Sequence, residues 1–116
     1  MVAQESSKIA GIDLVRSYIL DVISDDSTLT LDMDFRLRES HPRYTNPGTL
    51  DGCYRRGYIR FAQIEDLRLN KSPTAPKDVR NLSIIYSTEF HDDFVHIDSA
   101  WGEVEVSAST IQVVVE

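Results

Sequence analysis

The sequence predicts an all-β domain: an antiparallel β-sandwich or partly rolled sheet of about eight short strands, with room for one short N-terminal helix. Three observations carry that expectation. Thr28–Arg38 alternates apolar and polar side chains without interruption. Short runs rich in β-branched and aromatic residues recur between clusters of Ser, Asp, Asn, Pro and Gly. No segment sustains a long apolar period of 3.6 residues, so the crossover helices that a parallel sheet needs have no source.

The elements follow in order. Residues 1–12 read as a tail leading into one domain spanning 1–116. Ser17–Ile23 is β-branched and aromatic, and Ser24-Asp25-Asp26-Ser27 after it is turn chemistry, so it forms a hairpin with the next strand. The competing reading is a helix over Ile9–Val22, because Ile12, Val15, Ile19 and Val22 share a helical face. Gly11 and the β-branched density oppose it, which leaves a short helix before Ser17 as the part that can form. In Thr28–Arg38, the residues Leu29, Leu31, Met33, Phe35 and Leu37 face one side, and Thr30, Asp32, Asp34, Arg36 and Arg38 the other. A helix would scatter those five apolar side chains around its circumference.

Glu39–Gly52 holds Pro42, Pro47, Gly48 and Gly52 with little apolar content and reads as a long loop, of the length that often carries function. Cys53–Phe61 resumes as a strand with Gly57 as a candidate bulge, and Ile64–Leu69 is a further short strand. Asn70–Asn81 is a polar, proline-bearing loop. Leu82–Phe90, Val95–Ile97, Trp101–Val106 and Ile111–Val115 complete the set, with a turn at His91-Asp92-Asp93. The expected core is Leu29, Leu31, Met33, Phe35, Leu37, Ile59, Phe61, Ile84, Tyr86, Val104, Val106, Ile111 and Val113.

Composition bounds the function. At 116 residues, 41% hydrophobic and 27% charged, the chain has the make-up of one globular domain. Cys53 is the single cysteine, so no internal disulfide forms. MVAQESSKIAG lacks the basic start and apolar run of a secretory signal, and no apolar stretch is long enough to span a bilayer, so a cytoplasmic setting without membrane contact is expected. The net charge of −7 opposes nonspecific nucleic-acid binding. That charge is uneven: residues 36–71 carry +4 inside a chain that is otherwise −11.

The central region is distinctive: Ser40-His41-Pro42-Arg43-Tyr44, Asn46-Pro47, Cys53-Tyr54-Arg55-Arg56-Gly57 and Ile59-Arg60-Phe61. With Trp101-Gly102-Glu103-Val104-Glu105-Val106, it resembles a group of small uncharacterised bacterial β-rich proteins. The Trp-Gly-x-hydrophobic-x-hydrophobic ending is also similar to that of some β-rich bacterial immunity proteins. The resemblance implies a bacterial cytoplasmic β-domain and carries no reaction.

Among candidate sites, His41, Arg43, Tyr44, Tyr54, Arg55, Arg56 and Arg60 all fall in or beside the central loop. Tyr and Arg dominate binding hot spots, and guanidinium forks grip carboxylates and phosphates. Salt bridging within an acidic domain competes as the explanation of these arginines. Strand geometry turns Arg55 and Arg56 to opposite faces, and Arg56 shares a face with Arg60 unless Gly57 bulges. Cys53 with His41 as base has the pairing of a thiol nucleophile, but a lone cysteine opening an apolar strand is more often a core residue. His91 and His96 with Asp92, Asp93 and Asp98 lack any metal-ligand spacing, so no metal or cofactor is expected. Asp32 and Asp34 share a face with Arg36 and Arg38, which cross-strand charge pairing explains.

The expected function is a non-enzymatic domain that binds an unidentified protein through the 39–56 region, with neutralisation of a basic protein as one version. The alternative is a small anionic ligand or substrate held in a pocket around Arg43, Arg55 and Arg56. Ile111–Val115 reads as an exposed edge, since Val114 places an apolar residue outward, and this predicts a homodimer contact there.

Overall fold

A computed structural model describes residues 7–46, 52–72 and 83–116. Six strands follow a 3-10 turn at Ser7–Ile9: β1 (Ile12–Ser24), β2 (Thr28–Leu37), β3 (Cys53–Lys71), β4 (Ser83–Phe90), β5 (Phe94–Ser99) and β6 (Gly102–Val115). They close into an antiparallel barrel in the order β1-β2-β3-β6-β5-β4. The chain thus forms two three-stranded meanders, β1-β2-β3 and β4-β5-β6, joined along β3–β6 and along β1–β4.

The all-β antiparallel class is as expected; the sandwich and the eight strands are not. Two pairs of expected strands are each one long strand. Cys53–Phe61 and Ile64–Leu69 are continuous in β3, which kinks where Gln63 takes a φ of +53° and the β6 register slips between Ile64 and Asp66. Opposite the kink, Ser107, Ala108, Ser109 and Thr110 carry β6 across the gap between Trp101–Val106 and Ile111–Val115. Small side chains there give the bend room. The kink lies just past Ala62, the last β3 residue paired with β2, so it lets β3 leave that neighbour and curve away with β6. One sheet therefore closes on itself instead of splitting into two layers.

No helix forms over Ile9–Val22; among the described residues a 3-10 turn is what precedes β1. Ile9 and Ile12 are each only 2% exposed, so the part of 1–12 that is described belongs to the core rather than to a tail. No helix among the described residues is long and apolar enough to cross a membrane.

The core follows the alternation of β2, whose Leu29, Leu31, Met33 and Phe35 are fully buried. Ile59, Phe61, Val95, Ile97, Val104 and Val106 close it from β3, β5 and β6. Gly57 does not bulge. It sits opposite Met33 in unbroken register, and a Cβ there would overlap the Val114 carbonyl oxygen and the Phe35 ring. The absent side chain is what lets Phe35 fill the barrel end. Ile84 and Tyr86, expected inside, are 53% and 63% exposed. The register of β4 against β5 slips between Ile85 and Ser87, so Tyr86 is the extra residue of a bulge, and Ile85 and Phe90 point inward instead. Val113 packs against the core while remaining partly exposed. Ile111–Val115 pairs with β3 along its whole length, so only the side facing away from β3 lacks a strand partner among the described residues.

Leu31→Asp places an unpaired carboxylate at a fully buried position. The desolvation cost is comparable to a total stability of about 5–15 kcal/mol. The variant should show no cooperative urea transition by circular dichroism; a folded variant with a normal midpoint would contradict this core.

Candidate functional site

β1 cannot pair evenly with β2. Asp13 opposes Arg36 and Tyr18 opposes Asp34, so residues 14–17 of β1 stand against a single β2 residue. The buried hydroxyl of Ser17 takes over the missing ladder. It accepts a hydrogen bond from the Arg36 N–H at 2.9 Å and donates to the Asp13 carbonyl at 2.8 Å. Ser17 is fully buried, and this pair of bonds explains how a polar side chain is tolerated there. From β3, two strands away, the Tyr54 hydroxyl donates to the Arg16 carbonyl at 3.1 Å and so ties down the outer side of the bulge. The Tyr18 and Tyr54 rings lie 5.7 Å apart, tilted by 33°.

The bulge leaves the barrel joined across β1 and β4 by two described register pairs, Tyr18–Ile84 and Ile19–Ser83. From Ile85 to Phe90, β4 pairs with β5 and has no described partner on β1. A cleft of about 360 Å³ opens at this seam, lined by Val15, Arg16, Ser17, Tyr18, Arg36, Tyr54 and Ile84. Val15, at 46% exposed, and Ile84 present apolar surface in its lining, and Tyr86 is exposed two residues further along β4.

Arg36 is the wall between this cleft and a second hollow of about 210 Å³, lined by Asp13, Arg36, Leu37, Arg38, Glu39, Tyr44, Gly52 and Cys53. Its guanidinium lies 3.5 Å from the Asp13 carboxylate, which Arg16 also approaches at 3.8 Å. Gly52, with a φ of +92°, makes that placement possible: a Cβ there would come within 2.5 Å of Arg36 Nε. Burial raises the Asp34 carboxyl above its ordinary pKa although Arg56 pulls the other way. Burial also raises the Tyr54 phenol, with Tyr18 adding to the shift.

The residues expected to form the site are spread apart. Tyr54 is in the seam cleft and Tyr44 lines the smaller hollow. His41 lies in the turn that follows β2, where its Nδ1 accepts the Arg43 N–H at 3.0 Å. That bond requires an unprotonated Nδ1, in keeping with a pKa lowered by burial and by Arg43. Arg43 is exposed and lines neither hollow. Arg56 and Arg60 face outward opposite Asp34 and Thr30, while Arg55 takes the inward parity opposite Phe35, half-buried near the point where β6 ends. An anion pocket built from Arg43, Arg55 and Arg56 is therefore not what these two hollows present. Cys53 faces inward opposite Leu37, is 5% exposed, and has the Thr45 hydroxyl 3.9 Å from its Sγ, as a core cysteine does. Sequence reasoning did not single out Arg36 or Ser17 as site residues, whereas Tyr18 stands among the tyrosines that are anchors by type. Arg36 was readable as the outward residue of the best strand, but Ser17 carries no pattern of its own.

Comparisons with protein-family models, with curated proteins and with solved structures find no match.

Ser17→Ala should strand the Arg36 N–H and lower stability by about 1–3 kcal/mol. Urea denaturation measures this, and a loss below the error of the midpoint would remove Ser17 from its bridging role. Asp34→Asn should have a pH-dependent effect. A carboxyl whose folded pKa is raised contributes stability below its unfolded value near 3.8 and loses it as pH rises through the folded value. The variant should therefore be more stable than wild type at pH 7, with the difference disappearing towards pH 3. A variant less stable at pH 7 would show that the Arg56 attraction outweighs burial.

Proposed function

We propose that this domain is a non-enzymatic interaction module whose protein partner lays an extended, acidic and apolar segment along the β1–β4 seam. One observation carries the reading: main chain without a strand partner among the described residues borders both sides of a cleft lined by Tyr18, Tyr54, Arg36 and exposed aliphatics. Strand addition to an unpaired edge supplies main-chain hydrogen bonds, and the flanking pockets select alternate side chains. Tyr and Arg are the residues that concentrate binding energy at such places. Arg16 and Arg36 share the single Asp13 carboxylate, so the pair keeps one net positive charge at the seam, which favours a carboxylate on the incoming segment. The resemblance to β-rich immunity proteins fits the same module, with neutralisation of a protein as the use of the binding, and the lone cysteine suits a cytoplasmic setting.

A small anion in the 210 Å³ hollow is the less favoured reading, because Asp13 and Glu39 line it together with Arg36 and Arg38. Those carboxylates offset the arginines at close range.

Random-peptide display against the immobilised protein tests the proposal. The selected sequences should alternate apolar and acidic residues. Ile84→Ser/Tyr86→Ser, which changes only exposed side chains, should weaken their binding about 30-fold, the equivalent of about 2 kcal/mol. No enrichment, or equal binding to the double variant, would overturn the seam as the interface.

A further inference from the structure

On the opposite meander, the outer faces of β5 and β6 bring together side chains of a different chemistry. His96 stands directly across from Glu105, and Glu103 lies two residues along on the same face. One ligand atom from each of His96, Glu103 and Glu105 lies within 4.8 Å of the others, and all three side chains are half-buried. We propose that these three residues form a binding site for a divalent transition metal of the zinc class.

The geometry asks for little movement. At metal–ligand distances of about 2.1 Å, tetrahedral coordination separates ligand atoms by about 3.4 Å. Rotamer adjustment of two glutamates closes that difference without moving the strands. The backbone beneath is rigid: Ile97 and Val104, and Val95 and Val106, are register pairs that lie under the site and are fully buried. Among the described residues the contact of His96 Nε2 is with Glu103 Oε1 at 3.7 Å, too long for a hydrogen bond.

The donor set selects the class. An imidazole nitrogen with two carboxylates suits zinc, copper or nickel, whereas calcium and magnesium take oxygen ligands alone. Three protein ligands leave one tetrahedral position for water. The surrounding field favours a cation: Glu89 is the β4 register partner of His96, and Asp98 that of Glu103. Arg68, the β3 partner of Glu105, opposes it, but its exposure to solvent screens that charge. His91 is not part of the site; it bonds Glu89 at 2.9 Å and stacks on Phe94.

Isothermal titration of zinc chloride into untagged, chelator-treated protein in a non-coordinating buffer tests the site. The expected result is one saturable site per chain, weakened at least tenfold by His96→Ala and by Glu103→Gln/Glu105→Gln, and unchanged by His91→Ala. All four substituted positions are at the surface, and a thermal melt of each variant confirms the fold. Zinc should shift the His96 imidazole resonances ahead of those of His91 and His41, and calcium should not compete. No saturable binding, binding unchanged in His96→Ala, or equal binding of calcium would overturn the proposal.

Discussion

The closure of this barrel depends on how the Ser17 hydroxyl resolves a mismatch between β1 and β2. Four residues of β1, 14–17, stand where the ladder has room for one, and a bulge of that size breaks main-chain pairing inside a sheet. Ser17 restores it with one side-chain oxygen that accepts from the Arg36 N–H and donates to the Asp13 carbonyl. Beyond the bulge β1 resumes its pairing with β2, and at Tyr18 and Ile19 its other edge meets β4. The meeting is brief, and the cleft beside it is what remains of the seam. Fold and candidate interface therefore share one origin. The same bulge that closes the barrel leaves main chain and side chains available to a partner.

Charge is distributed around this architecture in a way that the linear sequence only hints at. The excess of arginine in residues 36–71 is divided by the strands: Arg56 and Arg60 face outward on β3 beside Asp32 and Asp34 of β2, and Arg55 takes the inward parity. The acidic C-terminal third becomes the outer face of β4, β5 and β6, where Glu89, Asp98, Glu103 and Glu105 gather around His96. The carboxylate-rich face thus belongs to β4, β5 and β6, while the outer faces of β2 and β3 mix both signs. A carboxylate-rich face of this kind attracts cations and basic groups.

Much of the fold was legible because β2 states its geometry in every residue: the alternation from Leu29 to Leu37 fixes which side is core. What was not legible has physical causes. The kink at Gln63 is one strand bending around a barrel, and in sequence a bend and a strand end look alike. Ile84 and Ile85 are adjacent and equally apolar, so only the bulge at Tyr86, set by pairing with β5, decides which of them turns inward. Barrel closure rests on contacts between residues far apart in the chain, which no local pattern encodes. Of the candidate site, Tyr54 was legible by type and position. Its partners Tyr18 and Arg36 come from two other strands; Arg55, next to it in sequence, takes the inward parity, and Arg56 shares its outward face without lining the cleft. Proximity in sequence was a poor guide here because strand alternation sends Arg55 to the opposite face, and each residue along the strand carries Arg56 further from the cleft.

Amide hydrogen exchange resolved by residue tests the weak seam most directly. If closure rests on the Ser17 bridge and a short β1–β4 contact, the amides of residues 14–16 exchange orders of magnitude faster than those of Leu29 to Phe35, which open only with global unfolding. Uniform protection across β1 and β2 would mean that the seam is fully paired, and would contradict both the account of closure and the interface placed there.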